Sequence, residues 1–368
     1  MFSQNNKISM RQLEILLFLD LFSTAVLILP RRAAEFANQD GWIIVILSTF
    51  LALFYSWIIT YLASRFPKDT FVEFSSKILS KPVGIILSLF LFIKICFNTA
   101  MELRIFGELV KQILLPRTPI EVIMISMLFV SAYLVRQGYE ARGRLGEILF
   151  FVIFIPIISI LLFVLPVTDF RNLKPILTTP LSKLLKGSYD LGFTFSYIEF
   201  LLMVAPLVKN PKGLKKSAFK VIGMVGFINV ILVIVTLGVF GSIETKEQIW
   251  PVIGLMQVIE IPGAFLERQD ALMMIFWITS VFSLISAGLY FVSFIITRIM
   301  EVEEHKFLVF PMIPIIYLIA LIPDNIAETL DSINIMKNYF RISFLFPIPL
   351  ILIIVAKIRK LGETIEKK

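Results

Sequence analysis

Cysteine and histidine are almost missing from this chain: its 368 residues include one of each, Cys96 and His305. One cysteine leaves no intramolecular disulfide to form. One histidine and one cysteine far apart argue against a zinc site, and a Ser–His–Asp set would have to use His305, which sits in an acidic stretch with Glu301, Glu303 and Glu304. There is no Gly-Lys-Ser/Thr phosphate loop, no dinucleotide fingerprint and no His–Glu–His helix motif. Charged residues make up only 17% of the chain. No low-complexity linker or soluble catalytic module stands out, so residues 1–368 are read as a single membrane domain with no enzyme activity, no metal and no cofactor.

Apolar residues dominate instead. They make up 58% of the sequence, and the mean hydropathy is +0.88. Apolar runs of about 17–25 residues are transmembrane helices. About ten occur here, at roughly 12–30, 41–63, 83–112, 119–136, 147–167, 188–207, 218–240, 271–298, 307–323 and 341–357. Their length excludes a β-barrel, whose strands alternate over about ten residues. The third run exceeds what a bilayer needs, which predicts tilt or projection. The first follows the polar stretch Met1–Gln12 and ends in Pro30-Arg31-Arg32 with no small-residue cleavage site, so it is read as a retained span. Lysine and arginine concentrate in 1–11, 64–82, 137–146, 208–217, 299–306 and 358–368, most densely at Lys209, Lys212, Lys215, Lys216 and Lys220. The positive-inside rule then places both termini in the cytoplasm. The net charge of +8 reflects this juxtamembrane rim rather than nucleic-acid binding.

Two runs are interrupted halfway. The first holds Asp20-Leu21-Phe22-Ser23-Thr24-Ala25 before Pro30; the sixth holds Gly192-Phe193-Thr194-Phe195-Ser196-Tyr197-Ile198-Glu199 before Pro206. Small and polar residues at membrane depth let a helix unwind where it lines a cavity, and a matched pair of interruptions marks a transporter-type site. Ten spans with breaks in the first and sixth divide as five plus five with opposite topology. The expected fold is an all-α polytopic membrane protein, an inverted repeat of about 12–167 and about 188–357 with helices 1 and 6 broken.

Ionisable groups inside the runs collect in the first (Asp20), third (Lys94, Glu102, Arg104) and sixth (Glu199), and such groups are costly enough to suggest function. Lys94, Asn98 and Glu102 lie at i, i+4 and i+8, one stripe on a helix face. About 12 Å separates its ends at 1.5 Å per residue, so Asn98 or water would have to join Lys94 to Glu102. This stripe with Asp20 forms a possible ion or water pathway; the alternative is a structural stripe that pairs with Asp20 or Glu199 and fixes packing. Arg104 and Glu108 form a separate i, i+4 pair. Ser280, Ser283 and Ser286 give the eighth run a small polar face, for packing or for the cavity. The outer stretch 241–270 suits short interfacial helices or a docking surface.

The chain resembles the spore-germination permease family, the B-type membrane subunit of nutrient germinant receptors, within the amino acid–polyamine–organocation transporter superfamily. The resemblance rests on Ile8-Ser9-Met10-Arg11-Gln12-Leu13 leading to Thr24–Pro30, on Arg136-Gln137-Gly138-Tyr139-Glu140-Ala141-Arg142, on Glu199 followed by Ala205-Pro206-Leu207-Val208-Lys209-Asn210-Pro211-Lys212, and on Phe265-Leu266-Glu267-Arg268-Gln269-Asp270. It implies a sensor in the spore inner membrane that binds a small germinant (amino acid, sugar or nucleoside) and works with A-type and lipoprotein C-type subunits. By position, the ligand site would use Ser23, Thr24, Ala25, Asn98, Glu102, Phe195, Ser196, Tyr197 and Glu199. Ser23 and Tyr197 stand where the wider superfamily has glycine, which narrows the cavity. A cation-coupled amino-acid permease and a structural membrane partner without ligand remain alternatives.

Overall fold

The computed structural model describes residues 7–258, 269–302, 304–340 and 343–362. Among the described residues fifteen α-helices follow one another: α1 Met10–Leu21, α2 Thr24–Ala37, α3 Gly41–Arg65, α4 Phe71–Ile78, α5 Lys81–Ile113, α6 Ile120–Arg136, α7 Tyr139–Val164, α8 Leu181–Leu191, α9 Leu201–Val204, α10 Leu214–Glu247, α11 Pro251–Val258, α12 Gln269–Ile299, α13 Lys306–Ala320, α14 Ile326–Phe340 and α15 Pro347–Ile358. No strand occurs among the described residues beyond an isolated bridge. Every apolar run falls on helix, the last in α15 with 341–342 outside the described residues. By length and composition, five helical stretches among the described residues suffice to cross a membrane, and the bent pair built on α8 and its continuation passes the same test.

Local chemistry sets several boundaries. A capping box starts α1, with the Ser9 hydroxyl accepting from Gln12 N and the Gln12 side chain accepting from Ser9 N. Thr70 and Glu73 do the same for α4. Pro82 stands in the first turn of α5, where its missing N–H costs nothing. Gly241, at φ 70, kinks α10, so the stretch expected as an outer loop from 241 begins as helix, leads to the short α11, and then passes into 259–268, outside the described residues.

In the interior, α10 lies along α2 and α3, while α12 packs on α5, α6, α7 and α1. Glycine allows the closest approach: a Cβ at Gly288 of α12 would collide with Thr99 of α5, and one at Gly226 of α10 would collide with Thr49 of α3. Such small-residue contacts suit helix packing in lipid, where van der Waals fit drives association. The start of α1 is tied to the end of the sixth run. Ile8 N donates to the Leu207 carbonyl at 2.9 Å, and Lys209 N donates to the Ile8 carbonyl at 3.0 Å.

Candidate functional site

The first run is broken where its composition predicts. Phe22 (φ −97, ψ 67) ends α1 and Ser23 (φ −122, ψ −146) precedes α2. The freed Phe22 carbonyl accepts a hydrogen bond from the Ser280 hydroxyl of α12. Thr24 opens α2; the side chains of Thr24 and Ala25 lie outside the described set. Ser23 is buried. Beside it is a cavity of about 30 Å³, lined by residues that include Ser23, Ile153 and Pro156 of α7, and Trp277 of α12. Ser23 Oγ and Trp277 Nε1 are buried polar atoms with no hydrogen-bond partner among the described residues.

The sixth run tightens rather than unwinds. Residues Gly192–Phe200 form a 3₁₀ helix between α8 and α9, and the span bends by 45° there. The Thr194 hydroxyl donates back to the Leu191 carbonyl at 2.8 Å, a side-chain bond that competes with helical pairing. Mid-helix 3₁₀ geometry of this length is uncommon and marks strain or a hinge.

Two buried ion pairs flank these segments. Lys94 of α5 pairs with Glu199, and its ammonium lies 5.6 Å from the centre of the Phe344 ring. Asp20 of α1 pairs with Arg142 of α7, whose guanidinium also donates to the Ser283 carbonyl of α12 at 3.2 Å. All four side chains are at most 4% exposed. Glu102 accepts from the Tyr197 hydroxyl at 3.1 Å. Buried pairs of this kind gain from mutual attraction but bear a large desolvation cost. With the Ser280–Phe22 bond they tie α5 to the 3₁₀ segment, α7 to α1, and α12 to the first break.

The sequence stripe is thus real, and Lys94 pairs with Glu199, one of the two partners that the structural alternative named. Lys94 and Glu102 are not joined through Asn98; each reaches its own partner in the 3₁₀ segment, and half-buried Asn98 lies between them on α5. Asp20 of the first run is paired with Arg142. Phe195 is buried and Ser196 half-buried. Arg142, quoted only as the end of the stretch Arg136–Arg142, is the buried cation that the reading of in-span charges missed. Hydropathy assigned 137–146 to a loop, yet α7 begins at Tyr139 and carries Arg142 into the interior. The signal that pointed to it was Asp20 itself, a buried carboxylate in need of a cation. His305 lies in the turn before α13, as read, and is buried there, with Nε2 at 3.1 Å from the Val135 carbonyl. Arg104 and Glu108 pair as expected at 2.7 Å, and Arg104 also donates to the Asp324 carbonyl at 2.7 Å. Among the described residues no cluster of three or more His, Cys, Asp or Glu offers a metal site.

Comparison with known proteins gives a consistent picture. The profile of a family described as "Spore germination protein" matches residues 7–329. Spore germination protein YndE of Bacillus subtilis (strain 168) is 28% identical over 99% of this chain and 100% of its own length. Spore germination protein GerLB of Bacillus cereus is 29% identical, over 97% and 96% respectively. Among solved structures, MhsT in complex with L-phenylalanine superimposes with a TM-score of 0.71 at 14% identity, covering 95% of this chain and 89% of that one. A Na⁺-coupled sialic acid symporter superimposes with a TM-score of 0.65 at 12% identity, covering 90% and 77%. At such identities these two structures establish a shared fold.

Proposed function

Because this chain belongs to the spore germination protein family, as an integral membrane protein with a transporter-type fold, we propose that it is the germinant-sensing membrane subunit of a nutrient receptor. In this reading it resides in the spore inner membrane with both termini cytoplasmic and acts with A-type and lipoprotein C-type subunits. Its ten spans form an inverted repeat about the two altered helices. A small nutrient binds between them, in contact with Ser23, Thr24, Ala25, Asn98, Glu102, Phe195, Ser196, Tyr197 and Glu199. The observation that carries the reading is that the 3₁₀ segment of the sixth span lies against α1, the helix that ends in the first break, and is tied to α5 on its other side. That segment is held through Lys94–Glu199 and Tyr197–Glu102.

Mechanistically, the ligand competes with internal contacts. Opening the first break gives a ligand carboxylate the N-terminus of α2, whose backbone N–H groups and dipole end favour an anion. A ligand ammonium is drawn to Glu199, at the cost of its hold on Lys94. Exchange of these pairs would change the angle of the sixth span, and a signal follows only if the two angles bind ligand with different affinity. Glu199→Gln and Ser23→Trp should each abolish the germination response while the receptor still assembles. An unchanged dose–response in both variants would remove the site assignment. Saturable, cation-driven uptake by the chain alone in vesicles would instead favour a permease.

A further inference from the structure

A second cavity lies away from the broken helices, at the end of the bundle that carries the C-terminal residues Arg359 and Leu361. Arg359 there donates to the Ile78 and Leu79 carbonyls after α4, and the Leu361 carbonyl accepts from Arg65. The cavity is about 640 Å³ and is walled by α4, the first turn of α5 and the end of α12. Lys77, Lys81 and Arg298 bring one cation from each of these elements, and Val72, Ile85, Ile299 and Val302 provide apolar wall. We propose that this cavity binds the phosphate headgroup of an anionic phospholipid.

Three observations lead there. The first is charge. Lys81 pairs with Glu301 at 2.8 Å, Arg298 with Glu73 at 3.4 Å and Lys77 with Asp69 at 2.6 Å. The Lys81–Glu301 partners are 69% and 71% exposed, and ion pairs in water contribute little. A phosphate diester can therefore take over the cations without a large penalty, and basic pockets at the membrane surface bind anionic headgroups in this way. The second is the start of α5. Its N-cap Ser80 makes no side-chain hydrogen bond, so the first turn of a 33-residue helix presents its positive dipole end beside Lys81. The third is the wall leading away from the cavity. Ile86, Phe90 and Ile93 of α5 are 53%, 44% and 50% exposed and lie one turn apart on one face. That apolar stripe starts beside Ile85 of the cavity and faces outward from the bundle, as a track for acyl chains. Free phosphate would use the cations but gain nothing from the stripe.

The test uses the purified full chain in detergent. Binding of short-chain phosphatidylglycerol is measured against phosphatidylcholine of equal chain length and against inorganic phosphate, by native mass spectrometry and thermal shift. The expected result is saturable binding of phosphatidylglycerol, at least tenfold tighter than phosphatidylcholine, that weakens at least tenfold in the variant combining Lys77→Gln, Lys81→Gln and Arg298→Gln. Removing a competing carboxylate with Glu301→Gln should instead tighten it two- to fivefold, an effect of opposite sign that a general loss of folding cannot imitate. Equal binding of the two lipids, or unchanged affinity in both variants, overturns the proposal. So does inorganic phosphate binding as tightly as the lipid, which would reassign the cavity to a free anion.

Discussion

Arg142 is the largest fully buried side chain among the described residues, yet only one of its nitrogens is hydrogen-bonded; Nε and Nη1 find no partner there. Its charge is tolerated because Asp20 shares the burial. Arg142→Met should therefore destabilise the protein by about 3–5 kcal/mol, because it strands a carboxylate, while the double variant Asp20→Asn with Arg142→Met should lose clearly less than the sum of the single losses. Thermal unfolding of the four proteins in detergent decides this, and strict additivity would show that the pair is not coupled. His305 makes a different prediction. Burial pushes its imidazole below the ordinary value of 6.5, outweighing the Val135 carbonyl, which acts in the other direction. A folded state that prefers the neutral ring binds fewer protons than the unfolded chain as pH falls through 6.5. This contribution is complete above that pH and is lost on acidification. The fall in thermal midpoint between about pH 7.5 and about pH 5.5 should be smaller in His305→Gln than in the native chain. An equal fall in both would place the acid sensitivity elsewhere.

Among the elements, α5 ties the interior together: it offers Lys94 and Glu102 to the 3₁₀ segment and packs along α12 through Thr99 against Gly288. Adding a methyl at that contact with Gly288→Ala overpacks it, which costs about 1–3 kcal/mol. Thr99→Gly in the same chain should recover most of the loss, measured again by thermal unfolding. No recovery would mean that the helices do not meet there. This interface also shows what a sequence discloses. The helices were legible because about twenty apolar residues at a stretch have few other solutions. The break at Ser23 was legible because small polar residues sit where a span should be apolar. Partner choice was not. The spacing of Lys94 and Glu102 fixes their common face but does not choose Glu199 over Asp20 for Lys94, nor find Tyr197 for Glu102, about a hundred residues away. Hydropathy also passes over helices with mixed faces: α4 fell in an expected loop, and α14, with Glu328 and Asp331, lies between two apolar runs. Arg142 was hidden for the same reason, since a charge near a helix end reads as loop until the fold brings another element over it.

For the whole molecule, ties at both ends enclose the region of the breaks. At one end Arg32 of α2 donates to Asn334 of α14 at 2.9 Å, and Arg104 reaches the Asp324 carbonyl. At the other, the Ile8 backbone bonds the segment after α9, and Lys220 of α10 pairs with Glu14 of α1 at 2.7 Å. Between them the cavity at Ser23 is about 30 Å³, room for a water or two and too little for a nutrient. Under the proposed function, ligand entry therefore needs one end to open. A hydrogen bond to a charged group contributes about 1.5–3 kcal/mol, so losing the Arg32–Asn334 contact should raise the population open at that end about ten- to hundredfold. Because Cys96 is the one cysteine and is buried, a Cys96→Ala background with Ser23→Cys gives a clean reporter. Maleimide labelling of that cysteine should be slow in the parent, and Arg32→Ala should accelerate it by one to two orders of magnitude. Glu14→Ala should accelerate it less, because Lys220 is well exposed and the Ile8 backbone bonds survive. A labelling rate indifferent to Arg32 would mean that this end is held shut by packing between α2 and its neighbours, and that the polar tie merely accompanies the closed state.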